Sequence, residues 1–145
     1  MKLGIKKVEF IEASKCQDWS FLDRNAYFKS SSFITGEWQD LKFSDQFCTF
    51  QEEWLEDENG KHSSISVTGT NRLAQSIADE ILPLLLNPEY IYRITTINGY
   101  RFVVGSFNYI PRFLFSKVLD GINTYQVIWT ITSKSPHGAL NDISA

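Results

Sequence analysis

The 145-residue sequence predicts an α+β fold that is mostly β: an antiparallel, hairpin-built sandwich or barrel-like sheet carrying one main helix. Three observations lead there. The dipeptides Asn59-Gly60, Asn98-Gly99 and Asp120-Gly121 each separate two strand-like runs, and such pairs suit two-residue turns whose central positions need φ > 0. Aromatic residues are abundant (4 Trp, 6 Tyr and 11 Phe), and large rings favour half-buried strand surfaces. One segment alone, about 71–82, repeats its apolar residues at helical spacing.

In chain order, residues 3–13 alternate Leu3, Ile5 and then Val8, Phe10, with the phase slipping at Lys6-Lys7, which reads as a strand with a bulge. Residues 14–47 scatter Trp19, Phe21, Tyr27, Phe28, Phe33, Trp38, Phe43 and Phe47 among polar neighbours. Long structureless loops are unusual in compact domains, so short strands are expected around 31–35 and 37–43, joined at Thr35-Gly36. The first clear hairpin pairs 48–57 with 62–69. With Asn59-Gly60 as its loop, Trp54 faces Ile65 and Glu52 faces Val67, and the apolar side holds Phe50, Trp54, Ile65 and Val67. A helix follows, capped by Thr70 or Asn71, with Leu73, Ala74, Ile77, Ala78 and Ile81 on one face and Pro83 ending or kinking it.

The second hairpin joins 90–97 to 100–106 and places Ile94 opposite Val103. Both of its faces carry apolar residues, so the pair is expected to be covered on both sides. The third joins 112–118 to 124–132, with Leu114 near Val127 and Phe113 near Ile128 if Asp120-Gly121 is the tight turn. From about residue 134 the chain turns small and polar, which suggests a loose tail. One β-rich domain spanning 1–145, with the 48–69 hairpin projecting from it, is the expected organisation.

Composition narrows the function classes. The chain is 43% hydrophobic and 21% charged, an ordinary globular balance, with a formal charge of −3. Residues 51–69 set Glu52, Glu53, Glu56, Asp57 and Glu58 against Lys61, so that stretch carries −4 and the remainder +1. Without a basic stripe to neutralise phosphates, no nucleic-acid partner is expected. The N-terminus has lysines where a secretory signal needs an apolar run, and no stretch reaches the length of a membrane span. Isolated Cys16 and Cys48 read as free thiols of a cytosolic protein.

Reactive groups are sparse. His62, beside a turn, and His137, in the tail, read as ordinary exposed histidines, and two histidines without a nearby cysteine make no zinc site. Glu56 and Glu58 would lie about 6.6 Å apart on a strand, a spacing seen in glycosidases, but such carboxylates converge from separate elements in a cleft. At a hairpin tip, acids more simply keep an exposed edge from unwanted pairing. Asp57 to Lys61 fails as a calcium loop because Lys61 stands where an oxygen ligand belongs. Trp54 between Glu52 and Glu56, with Trp38 as a second candidate, could stack on a sugar, although Trp on a hairpin's apolar side is more often core. No catalytic residue, metal ligand or cofactor site is assigned.

Residues 70–138 nonetheless resemble small virion proteins of the neck or tail of tailed phages and prophages. The matching parts are the amphipathic helix Asn71 to Leu82, the hairpin from Tyr92 to Ser106, and the closing aromatic-rich hairpin to Ser135-Pro136-His137-Gly138. About half the chain is covered. The resemblance implies a non-enzymatic structural subunit without cofactor, found in the virion after assembly in the host cytoplasm. Its partners would be copies of itself, in a ring or tube, and neighbouring particle proteins, with no membrane involved. Strand edges and aromatic patches would make the contacts, and the expected interface residues are Glu52, Glu53, Trp54, Glu56, Asp57, Glu58, Arg93, Arg101 and Arg112. The competing expectation is a β-sandwich module that binds carbohydrate or another small ligand.

Overall fold

The computed structural model describes residues 2–19, 28–43, 46–58 and 60–143, so Phe21, Tyr27 and the turn residue Asn59 lie outside the described residues. In chain order the elements are β1 (Lys2–Glu12), β2 (Gln39–Asp40), β3 (Gln46–Asp57), β4 (Gly60–Ala74), α1 (Gln75–Leu85), β5 (Tyr90–Thr96), β6 (Arg101–Val104), β7 (Arg112–Leu119), β8 (Thr124–Ser135) and β9 (Leu140–Asn141). The nine strands form one sheet in the order β7-β8-β4-β3-β1-β5-β6-β9, with β2 beside β1, and every ladder is antiparallel. The expected mostly-β, antiparallel fold with one helix is what forms.

The sheet curls until distant strands face each other. Tyr92 of β5 stacks on Phe113 of β7 at 5.5 Å, and Phe50 of β3 meets Phe102 of β6 edge-on at 5.0 Å. Phe43 and Trp129 lie stacked at 5.7 Å between the layers. Ala78, Leu82 and Leu85 of α1 drop into this core beside Val127 and Ile131. A second, smaller core lies on the opposite face of β1, β5 and β6, where Ile11, Ile91, Val103 and Leu140 are covered by Trp19 and Phe28. The β5–β6 pair is thus covered on both sides, as its two apolar faces require.

Local register departs from expectation in physically legible ways. In β1 the ladder to β5 shifts between Ile5 and Lys7, the bulge that the Lys6-Lys7 slip implies. The β3–β4 ladder pairs Asp57 with Gly60, Trp54 with Ser63 and Glu52 with Ile65, two residues from the expected register. An even slip keeps every side chain on its face, so Ile65 and Val67 are still inside. The loop after β5 is longer than two residues: the Gly99 amide bonds to the Thr96 carbonyl (3.0 Å), the Thr96 amide to the Tyr100 carbonyl (2.8 Å), and Gly99 has φ +85°. This three-residue, bulged turn shifts the register by one, setting Ile94 opposite Phe102 and sending Val103 to the second core. The β7–β8 loop is likewise Gly121 to Asn123, with positive φ at both ends, and it sets Phe113 opposite Ile131 and Leu114 opposite Thr130.

The helix begins later than its apolar spacing suggests. Thr70 to Ala74 continue β4 against β8, and the Asn71 side chain accepts the indole N–H of Trp129 (2.7 Å) instead of capping a helix. The Gln75 amide at the helix start bonds to the Asn123 carbonyl (2.8 Å). Pro83 lies within the last turn, two residues before the end of the helix. Between β1 and β3, the strands expected at 31–35 and 37–43 reduce to a 3-10 turn at Ser30–Ser32 and the two-residue β2. The tail is not loose. β8 runs to Ser135, Leu140 is fully buried in β9, and Asp142 is buried beside Phe28. The 48–69 hairpin does not project either, because β4 is held by β3 on one side and β8 on the other over Ser63–Gly69. Among the described residues no helix is long and apolar enough to cross a membrane.

Two glycines separate two kinds of constraint. Trp129 lies flat over its cross-strand neighbour Gly69, where a Cβ would stand 2.5 Å from the ring; at Gly99 a Cβ meets nothing, but φ is left-handed. Gly69→Ala is expected to cost about 1–3 kcal/mol by overpacking and to alter the near-UV dichroism of Trp129. Gly99→Val is expected to cost about 1–3 kcal/mol through backbone strain, with that signal unchanged in the folded state. Urea titrations of both variants check this.

Candidate functional site

The expected interface residues fall into three places. The first is the acidic hairpin. Trp54 Nε1 donates to Glu52 Oε1 (3.2 Å), Glu52 Oε2 accepts the Ala139 amide (2.9 Å), and a Cβ on Gly138 would lie 3.0 Å from the Trp54 ring. Trp54 and Glu52 therefore clamp the turn after β8, and this is their structural use rather than an open sugar platform. Glu53, Glu56 and Glu58 are exposed, and Asp57 lies 3.6 Å from His62 Nδ1. His137, in the same turn, is buried rather than exposed: its Nδ1–H donates to the Gly138 carbonyl (2.6 Å) and its ring meets Tyr109 edge-on.

Arg93 is the second place, and it is interior. Only 9% exposed, it forms a bidentate pair with Glu9 (Nε–Oε1 3.0 Å, Nη2–Oε2 3.1 Å) and donates Nη1 to Asp142 Oδ2 at 3.0 Å. Ser30 donates its hydroxyl and its amide to the Asp142 carboxylate, and Trp38 covers the guanidinium at 4.8 Å. One planar fork thereby joins β5, β1, the segment before β2 and the strand-end residue 142. A shallow cavity of about 320 Å³ opens over the cluster, lined by Glu9, Ser30, Ser31, Glu37, Trp38 and Arg93. Arg101 is half-buried at the start of β6, where its carbonyl accepts the Asp142 amide (3.0 Å).

The third place is the β7 edge, which begins at exposed Arg112. Among the described residues β7 pairs with β8 alone and ends the sheet. The bond from the Asp120 amide to the Thr124 carbonyl (2.9 Å) sets the phase of that ladder. By alternation, even-numbered residues of β7 turn their backbone groups to β8, and Phe113, Phe115, Lys117 and Leu119 turn theirs to the open edge. The outer face beside this edge is apolar: Leu114 is 53% and Val118 63% exposed, with Ile128 next to them on β8. Ile122, at the adjoining turn, is 90% exposed. Lys117, the charged side chain on the inner face, is held to Asp79 of α1 (2.8 Å) and lies over the Tyr125 ring.

The contrast with other edges is informative. At the far end of the sheet, β9 covers β6. Beyond Thr49, β3 takes no partner from β1, but that stretch carries Glu52, Glu53, Glu56 and Asp57, charges that discourage pairing. Sequence reasoning picked out the acidic stretch and missed Leu114, Val118 and Ile122; the signal was present as apolar residues on the side of β7 opposite buried Phe113. Cys16 and Cys48 are free and buried, their thiols pushed up to about 11 by loss of water. No group of three or more His, Cys, Asp and Glu that could hold a metal occurs among the described residues. No family model, curated protein or solved structure matches the chain.

Removing the guanidinium leaves two buried carboxylates uncompensated, so Arg93→Met is expected to destabilise by about 3–5 kcal/mol in urea denaturation, with partial recovery when Glu9→Gln is added. Burial holds the His137 imidazole below its ordinary 6.5, opposed in part by its bond to Gly138 and the charge of Asp18. The unfolded chain then binds a proton that the folded chain refuses, so this group's effect is absent above pH 6.5 and destabilises as pH falls below it. His137→Gln is expected to flatten the loss of melting temperature on acidification below 6.5.

Proposed function

We propose that this chain is a non-enzymatic assembly subunit that docks through an exposed strand edge, as a neck connector or tail component of a phage-like particle does. The observation that carries this reading is β7: an eight-residue strand that among the described residues pairs on one side only, with exposed Leu114 and Val118 beside its other edge. Such an edge supplies directional hydrogen bonds, and its apolar flank supplies area to bury, the combination used in strand addition. The acids on the open stretch of β3 support the same reading, because they confine pairing to one edge. The phage context rests on the resemblance of residues 70–138, and the expected partners are further copies and neighbouring particle proteins.

A second reading is favoured by one feature, the cavity over Arg93, where Trp38 stands beside Glu9, Glu37, Ser30 and Ser31. A small polar ligand such as a sugar could stack on that ring and bond to those oxygens. Titrating candidate sugars against tryptophan fluorescence, in the intact chain and in Trp38→Ala, discriminates this reading.

Light scattering on the purified chain across a concentration series is expected to give discrete oligomers. Leu114→Glu is expected to weaken their association by on the order of 10- to 100-fold, since it removes buried apolar area and adds a charge at the edge. A monomer at every concentration would end the assembly reading.

A further inference from the structure

Side chains along the β7 edge form a palindrome. Centred on Ser116, outward-facing Leu114 on one side matches Val118 on the other, and Arg112 matches Asp120. Outside the paired strand, exposed Ile110 precedes it and Ile122, in the turn, follows it, the latter being the most exposed large apolar side chain of the described residues. We propose that two copies of this chain pair β7 to β7 in antiparallel register about a two-fold axis through Ser116, joining two nine-stranded sheets into one.

The register follows from the backbone as well as from the side chains. Odd-numbered residues present their N–H and C=O groups to the free edge, so in this pairing Phe115 meets the partner's Lys117 and Phe113 the partner's Leu119 as hydrogen-bonded pairs. The even-numbered residues then meet as non-hydrogen-bonded pairs, the geometry that brings side chains closest, about 4.5 Å between Cα atoms. Leu114 packs on Val118, and Arg112 reaches Asp120, whose carboxylate already holds Arg72 at 3.0 Å. Moving the register by two in either direction sets Arg112 against Val118 or Ile122 and destroys this match. A one-residue slip puts core-facing side chains opposite outer ones. Apolar and charged positions thus agree in one register alone, and that register is its own partner, as an isologous contact demands. The contact closes at two copies, so a larger ring or tube would be built from such dimers through another surface. This inference rests on the assembly reading above and specifies its geometry.

Cysteine cross-linking tests it. Ser116→Cys, an exposed substitution, is expected to give a disulfide-linked dimer under mild oxidation on non-reducing gels. Leu114→Cys is expected to give none, because the two thiols would stand about 13 Å apart along the strands. Buried Cys16 and Cys48 do not compete. A charge exchange gives an independent readout. Arg112→Glu and Asp120→Lys, each alone, are expected to weaken self-association on the order of 10-fold by light scattering, and an equimolar mixture to restore it as heterodimer, since each mixed contact pairs opposite charges. Oligomers that form without the Ser116→Cys cross-link, or equal cross-linking at both positions, would overturn the register and leave assembly standing. A strictly monomeric chain would overturn both.

Discussion

Tyr92 and Phe113 stack face to face although their strands stand five places apart in the sheet. That contact expresses the constraint under which the molecule is built: a single antiparallel ladder bends far enough to bury one face against itself, yet does not close. A closed barrel has no edges, whereas an open curl must leave two. The two ends are handled differently. β6 is shielded by β9, and β9 is held in place by the buried charge of Asp142. β7 ends the sheet with apolar side chains beside its free backbone. The same curvature that makes the core thus creates the surface on which the functional reading depends.

The guanidinium of Arg93 fixes where the layers outside that curl sit. Taking a charge from water costs several kcal/mol, and the cost is offset here by two carboxylates, a serine and a tryptophan face, drawn from three separate stretches of chain. Apolar contacts such as Ile91 on Val103 tolerate small displacements, but a bidentate fork tolerates few. The described residues 28–38 therefore dock in one place with only a 3-10 turn of their own. Their aromatic rings, Phe28 and Phe33, then complete the second core with Trp19.

The three hairpins were legible in the sequence, because alternation and turn dipeptides are local signals, whereas the ladders between distant strands, β1–β5, β1–β3 and β4–β8, carry no local mark. Registers were less legible. Asn98-Gly99 and Asp120-Gly121 mark turns, but the dipeptide does not say whether two or three residues form the loop, and an odd difference exchanges faces. The helix start was misplaced because Leu73 fits both periods; what decides is Asn71, drawn into the strand by the indole of Trp129. Arg93 and Asp142 lie 49 residues apart, and no local pattern announces that they meet. The β7 edge was readable in principle, since Leu114 and Val118 alternate with core residues, but their exposure depends on which strand ends the sheet. That is a property of the whole topology.

The Arg93 cluster also bears on how the chain matures. Glu9, Ser30 and Arg93 leave the ribosome well before residue 142, so a nascent polypeptide can assemble every ladder except the last while its inner cation has only one of its two anions. Final locking is therefore vectorial: it waits for a late segment, and a translation product halted upstream of Leu140 would keep both the β6 rim bare and an electrostatic debt inside.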